Sequence, residues 1–231
     1  MITVDTAEKI VLSRARDFGT ERISFTAALG RVLAEDMVAD RDLPPYNRCT
    51  MDGIAISFAG YEQGLRSFRI KAIQAAGDEP IDIDGPGDCI EIMTGAALPV
   101  TTDTVIRYED LVLEDGVATI RDGNVLQGQN IHPKGKDKKQ SETVAMAHQY
   151  IGPALISMAA SVGYSSLLVK KLPRVAIISS GDELVEVDQI PSPYQVRRSN
   201  NYTLQAILRQ HAIEAELLHI PDDPAITQQR V

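Results

Sequence analysis

The chain has no tryptophan, only two cysteines and only four histidines in 231 residues. Cys49 and Cys89 stand far apart with no Cys-x-x-Cys spacing, and His132, His148, His211 and His219 form no ligand pattern. That argues against a disulfide scaffold or a structural zinc site. Basic charge is also short: 23 Lys and Arg against 32 Asp and Glu give a net charge of -9 and a pI near 4.9. A general nucleic-acid binder needs a basic surface to displace counterions, so that class is disfavoured, although one pocket for an anionic ligand is not. No apolar run is long enough to span a bilayer, and the start MITVDTAEKI lacks the apolar stretch of a signal peptide. The expected compartment is a reducing cytoplasm, with no membrane partner. What the chain does have is 44% hydrophobic residues, enough for real cores in one large domain or two ordinary ones.

The pattern changes along the chain. Asp5 and Glu8 have capping-box spacing, with Ala7, Ile10, Val11, Ala15 and Phe18 on one face and Gly19 to close a first helix. A second short helix is expected from Thr26, carrying Ala28, Leu29 and Leu33. DLPPYNR then forbids regular structure. From Gly53 to about Val125, short apolar stretches (GIAISF, FRIKAI, DCIEIM, TVIRY, LVLE, VATI) alternate with turn residues, and Asp115-Gly116 signals a hairpin. This reads as a small β domain inserted between helical regions. Helix returns at Gly152-Pro153 and stops at Gly163. Residues 174–179 read as a strand, buried over 175–178. A helix near Asn201 capped by Ser199 or Asn200, the strand AELLHI and a last helix opened by DDP follow. Two strands and one helix cannot cover both faces of a parallel sheet, so residues 173–231 are expected to begin a doubly wound domain whose remainder lies downstream. The fold class is α+β multidomain: a helical linking and dimerisation domain (1–47 and 141–171), an inserted β domain (48–140) and an incomplete α/β domain (172–231).

Four stretches carry candidate chemistry, each with an ordinary reading beside it. Ser179, Ser180 and Gly181 end a strand where backbone NH groups can hold an oxyanion, and Asp182 and Glu183 follow as carboxylates able to ligate Mg²⁺ or orient water. The same acids also read as stabilising a following helix start. Asp52-Gly53 is either a turn or a carboxylate held at a strand end. Thr94-Gly95, after a strand ending at Met93, presents a hydroxyl and an NH, or is a plain loop. HPKGKDKKQ places four lysines around Asp137, as a solvated loop or as an anion patch.

Together LPPYNRCTMDGIAI, EIMTGAALPVTTDTVIRYED, NIHPKGKD and LPRVAIISSGDELVEVDQI, followed by YQVRRSNNYTL, resemble the molybdopterin molybdenumtransferase family, which includes the E domain of gephyrin. The resemblance runs over essentially the whole chain. It implies the last step of molybdenum-cofactor assembly: molybdate inserted into adenylylated molybdopterin, with AMP released and Mg²⁺ present. It implies an elongated homodimer with helical, inserted β, molybdopterin-binding α/β and C-terminal β domains, and other proteins of cofactor assembly as candidate partners. By the family pattern Asp52, Thr94 and Glu183 are catalytic. Gly53, Gly95, Asp137, Ser180, Gly181, Asp182, Arg197 and Asn200 are substrate-binding, with Asp182 or Glu183 as the candidate metal ligand. Arg48-Cys49-Thr50, the lysines around Asp137 and Arg198 depart from the family pattern. The Gly-Gly-x-Ser-x-Gly segment that binds pterin and phosphate is expected beyond Val231, which makes this chain the N-terminal portion of its parent, inactive alone. The alternative is a non-catalytic pterin-binding or scaffold protein of the same architecture.

Overall fold

A computed structural model describes residues 2–121 and 123–222, together with Ala225 and Gln228. In chain order the elements are α1 (Val4–Ser13), β1 (Thr20–Ser24), a 3-10 turn (Phe25–Ala27), β2 (Met37–Val38), β3 (Arg48–Cys49), β4 (Gly53–Ile56), α2 (Phe58–Glu62), β5 (Ser67–Gln74), β6 (Asp88–Ile92) and β7 (Thr104–Arg107). Next come a second 3-10 turn (Tyr108–Asp110), β8 (Leu111–Glu114), β9 (Val117–Ile120), β10 (Ile131–His132), β11 (Thr143–Ala145) and α3 (Pro153–Ser161). The chain continues with β12 (Ser166–Lys170), β13 (Val175–Ser180), β14 (Leu184–Val185), β15 (Val196–Arg197), α4 (Asn200–Gln210) and β16 (Ala215–Ile220). They form two compact units, one of Met1–Met37 with Ala145–Val231 and one of Val38–Val144.

The Val38–Val144 unit is a six-stranded sheet in the order β7-β4-β6-β5-β9-β8. Every neighbouring pair is antiparallel except β5–β6, which runs parallel with a bulge between Ile70 and Ala72. Its core gathers Ile54, Ile56, Phe68, Cys89, Ile106, Leu111 and Ala118, all at most 3% exposed. The β8–β9 hairpin turns at Asp115 and Gly116, whose φ values of 49° and 76° are what a two-residue primed turn demands. Gly53 is set by a close approach: a Cβ there would lie 1.9 Å from the Ile106 carbonyl oxygen of the neighbouring strand. Gly53, Ile54, Ala55 and Ile56 are all buried because β4 lies between β6 and β7. One element interrupts the expected run of strands. After Ser57 the chain folds into the short helix α2 rather than extending GIAISF further.

In the other unit, β1 and β12 pair antiparallel from Thr20↔Lys170 to Ser24↔Ser166, and Leu33 bridges to Val169. Ala28, Leu33, Ile151, Ala159, Leu167 and Val169 form its interior, with α3 against the Phe25–Ala27 turn. Pro153 opens α3 as its patterning requires, and Gly163 follows with φ 79°. β13 and β16 run parallel, Val175↔Ala215 to Ser180↔Ile220, with α4 packed on both. β14 and β15 make a second, two-residue parallel ladder.

Several local expectations are corrected. α1 is capped by Thr3, whose side chain accepts from the Thr6 NH at 3.2 Å, not by an Asp5/Glu8 box. It ends before Ala15 and Phe18, and none of its residues is buried. The helix expected from Thr26 is a single 3-10 turn, because Leu33 is drawn into the bridge with Val169. The sequence pattern gives no sign of β1 and β12; their short mixed-polarity stretches gain strand character from each other and, for β12, from the Leu33 bridge on its other side. The strand at 175–178 exists but is not buried throughout: Ile177 is inside and Ile178 is 43% exposed. No helix follows Glu183; the chain enters β14, so these acids do not serve a helix start. The helix expected from DDPAITQQRV falls mostly outside the described residues.

Candidate functional site

Asp52 closes the loop between β3 and β4, exposed beside fully buried strand residues. Its carboxylate oxygen Oδ1 accepts two hydrogen bonds from one residue, the Thr94 backbone NH at 2.6 Å and the Thr94 hydroxyl at 2.7 Å. The backbone NH first and the hydroxyl second hold the Asp52 carboxyl below its ordinary range. Thr94-Gly95 is the turn after β6. Gly95 has φ 91°, its NH donates to the Cys49 carbonyl at 2.9 Å, and its carbonyl accepts from the Tyr46 hydroxyl at 3.3 Å. Two loops far apart in sequence are thus tied into one edge. Burial, then a 2.6 Å hydrogen bond to the Glu91 carboxylate, raises the Tyr108 hydroxyl well above its usual pKa, and the Tyr108 NH donates to the Asp52 carbonyl at 3.1 Å. Cys49 is buried and its thiol donates to the Met51 carbonyl at 2.8 Å; burial pushes its pKa up. Both its burial and its raised pKa suit a packing residue.

The lysine loop is anchored by side chains the sequence reading passed over. His132 Nε2 and Asp137 Oδ1 are 2.8 Å apart, the Asp137 NH donates to the Leu43 carbonyl at 2.9 Å, and the Lys134 NH donates to Asn47 Oδ1 at 2.9 Å. β10 pairs with β3, which sets His132 opposite Arg48. The His-x-x-x-x-Asp spacing in HPKGKD was the available signal for the His132–Asp137 pair.

Ser180 ends β13 and Gly181 turns the chain with φ 134°. The carboxylate of Glu183 folds back over that glycine: a Cβ on Gly181 would lie 2.5 Å from Glu183 Oε2. Asp182 Oδ1 accepts from the Asp222 NH at 3.2 Å. Ser180, Arg197 and Asn200 line one cleft of about 440 Å³ with Ser179, Ser199 and Asn201, whereas Gly181, Asp182 and Glu183 are not among its lining residues. Arg197 Nε donates to the Gln189 carbonyl at 3.2 Å, and Arg198 is ion-paired with Glu186. Asp52, Gly53, Thr94, Gly95 and Asp137 therefore lie in one unit, and residues 180–183 with Arg197 and Asn200 in the other. Among the described residues no three His, Cys, Asp or Glu side chains gather into a metal site.

Residues 2–163 match the family described as MoeA N-terminal region (domain I and II). The chain belongs to that family. It is 36% identical over 228 residues to a molybdopterin molybdenumtransferase of Synechocystis sp., covering 98% of this chain and 58% of the relative. A Staphylococcus epidermidis protein of the same name is 30% identical over 232 residues, covering 96% and 54% respectively. The chain thus spans between half and two thirds of the length of these two relatives. Among solved structures, the molybdopterin biosynthesis moeA protein of Pyrococcus horikoshii OT3 superposes with a TM-score of 0.88 at 28% identity, over 99% of this chain and 62% of that one. A second structure of a Pyrococcus moea protein gives 0.81 at 26% identity. The mixed α/β fold is that of these proteins. No helix among the described residues is long and apolar enough to cross a membrane.

Proposed function

We propose that the protein serves molybdenum-cofactor biosynthesis as a molybdopterin molybdenumtransferase, inserting molybdate into adenylylated molybdopterin with release of AMP. The observation that carries this is the length of the likeness. Similarity to the transferases covers nearly the whole chain, so the Asp52–Thr94 edge and the 180–183 turn both fall within it. In this reading Glu183 and Asp52 supply charge and proton acceptance, and Thr94 is held ready by Asp52. Gly53, Gly95, Asp137, Ser180, Gly181, Asp182, Arg197 and Asn200 bind substrate. The chain divides functionally into a linking part (1–47 and 141–171), a β part (48–140) and a molybdopterin-binding part (from 172).

Mg²⁺ takes one or two carboxylates together with substrate phosphates and water, not a protein-only cage. The adjacent, exposed Asp182 and Glu183 fit that donor set. They would hold the ion, whose chemistry is to offset phosphate charge. What the chain itself does is separate: Arg197 and the end of β13 orient the ligand, and the Asp52–Thr94 pair is fixed before any ligand arrives.

The reading extends to a homodimer and to contacts with other proteins of cofactor assembly. α1 supports it, since Ile10, Val11 and Leu12 are 48–69% exposed on a helix with no buried residue. A monomer by light scattering at high micromolar concentration would count against the dimer. For the reaction, Glu183→Gln in the full-length protein keeps size and removes charge, so it should reduce molybdate insertion far more than binding of the pterin nucleotide. An unchanged insertion rate in a folded variant assigns Glu183 to structure alone. Binding without any insertion in the unmodified full-length protein would favour the non-catalytic pterin-binding alternative.

A further inference from the structure

Asn201 is 6% exposed, and its Nδ2 is buried without a hydrogen-bond partner. Burying a donor unsatisfied is unfavourable, and folded proteins rarely leave one so. The residue is the second of α4 and lines the cleft of about 440 Å³ at the carboxyl end of β13. The rest of that lining is mixed, with Ile177, Ile178, Leu184, Val196 and Leu204 on its apolar side. Its polar side offers the hydroxyls of Ser180 and Ser199, the Asn200 amide and the Arg197 guanidinium, while the Ser179 hydroxyl donates to the Leu218 carbonyl at 3.4 Å. Among the described residues no carboxylate lines it, in a chain whose net charge is -9. Ser199 occupies the N-cap of α4 but makes no side-chain capping bond, so the first NH groups of the helix are left to other acceptors. A helix start with open NH groups beside serine and arginine donors, at the end of a parallel strand, is a setting for phosphate.

We propose that Asn201 is a ligand-recognition residue, its side-chain amide donating from Nδ2 to a phosphate oxygen of the molecule that enters this cleft. The proposal deepens the functional reading above and rests on it only in taking the ligand to be phosphorylated. The amide torsion of asparagine is broad, so the NH₂ can turn to meet the oxygen without moving the helix. Phosphate, with several acceptor lone pairs and negative charge, matches the donors on the polar side of this lining. A cation or a carboxylate-recognising partner does not gain from it in the same way, since a cation has no lone pair to accept from Asn201.

Inorganic phosphate and AMP are titrated calorimetrically into the full chain, with adenosine as the control lacking phosphate. The expected result is that phosphate and AMP bind and adenosine does not. Asn201→Asp keeps the shape but replaces the donor by a charged acceptor, and should raise both Kd values by about tenfold or more. Asn201→Ala should weaken binding too, yet leave the ligand-free Tm unchanged or higher, because it removes an unsatisfied group. A satisfied structural asparagine would instead lower that Tm. Absence of phosphate binding by the unmodified protein, an unchanged Kd in Asn201→Asp, or a lowered ligand-free Tm with unchanged Kd in Asn201→Ala each overturns the proposal. Should Asn201→Ala not fold, as judged by circular dichroism, Asn201→Asp and Asn201→Ser decide it on Kd. Phosphate binding lost in Asn201→Asp, with no molybdate insertion by the full-length protein, would sink the transferase reading and leave this one standing. Insertion with an unchanged Kd would do the reverse.

Discussion

Asp52 shows how much a single residue's role depends on its partner. An exposed carboxylate in a Met-Asp-Gly stretch could be a free base or a turn former; here one oxygen receives both the NH and the OH of Thr94. The depressed pKa has a pH consequence of definite sign. A group whose folded value lies below its unfolded value of about 3.9 contributes stability above that value and loses it as pH falls through the folded one. The measurement is a carboxyl NMR titration, in which Asp52 should titrate below that reference. Thr94→Ala should restore only part of the shift, because the larger contribution comes from the backbone NH, which alanine keeps. An Asp52 that titrates at the reference value in the unmodified protein would remove the clamp from the site.

At the scale of elements, β4 fixes where Asp52 stands. It sits between β6 and β7, and its first residue leaves no room for a side chain. Gly53→Ala drives a Cβ into the Ile106 carbonyl oxygen, a contact with backbone that cannot swing aside. The expected cost is at or above the upper end of the about 1–3 kcal/mol typical of overpacking, read as a lower urea midpoint with an unchanged slope. A midpoint equal to that of the parent protein would mean β4 and β7 can separate freely. Element signals differed sharply in legibility. Asp115-Gly116 and Gly152-Pro153 announced their structures because each meets a local backbone requirement. The second expected helix failed because Leu33 has a tertiary alternative, the bridge to Val169, that local propensity does not register.

For the whole molecule, the contiguous stretch Val38–Val144 carries its own six-stranded sheet and its own core around Ile54, Ile56, Phe68 and Ile106. A unit with a closed core of that kind should fold by itself. Excised as residues 38–144, it should unfold in one cooperative urea transition and retain the Asp52 titration of the full chain. A non-cooperative profile would show that its sheet depends on the rest of the chain.

The sequence by itself determined the elements whose cause is local: the hairpin turn, the proline-opened α3, the alternation of short strands in the β region, and the motifs whose joint order marks the family. It also supplied the candidate residue types, two acidic turns and a serine-rich strand end. Tertiary structure alone decided the β1–β12 pairing, since a five-residue strand with one polar face acquires its register only from the strand opposite. It decided that Asp52 meets Thr94, that His132 meets Asp137, and that Asn201 is buried one hydrogen bond short. Those outcomes turn on which atoms come within 3 Å of one another, and a linear order of side chains sets no such distance until the chain has closed on itself.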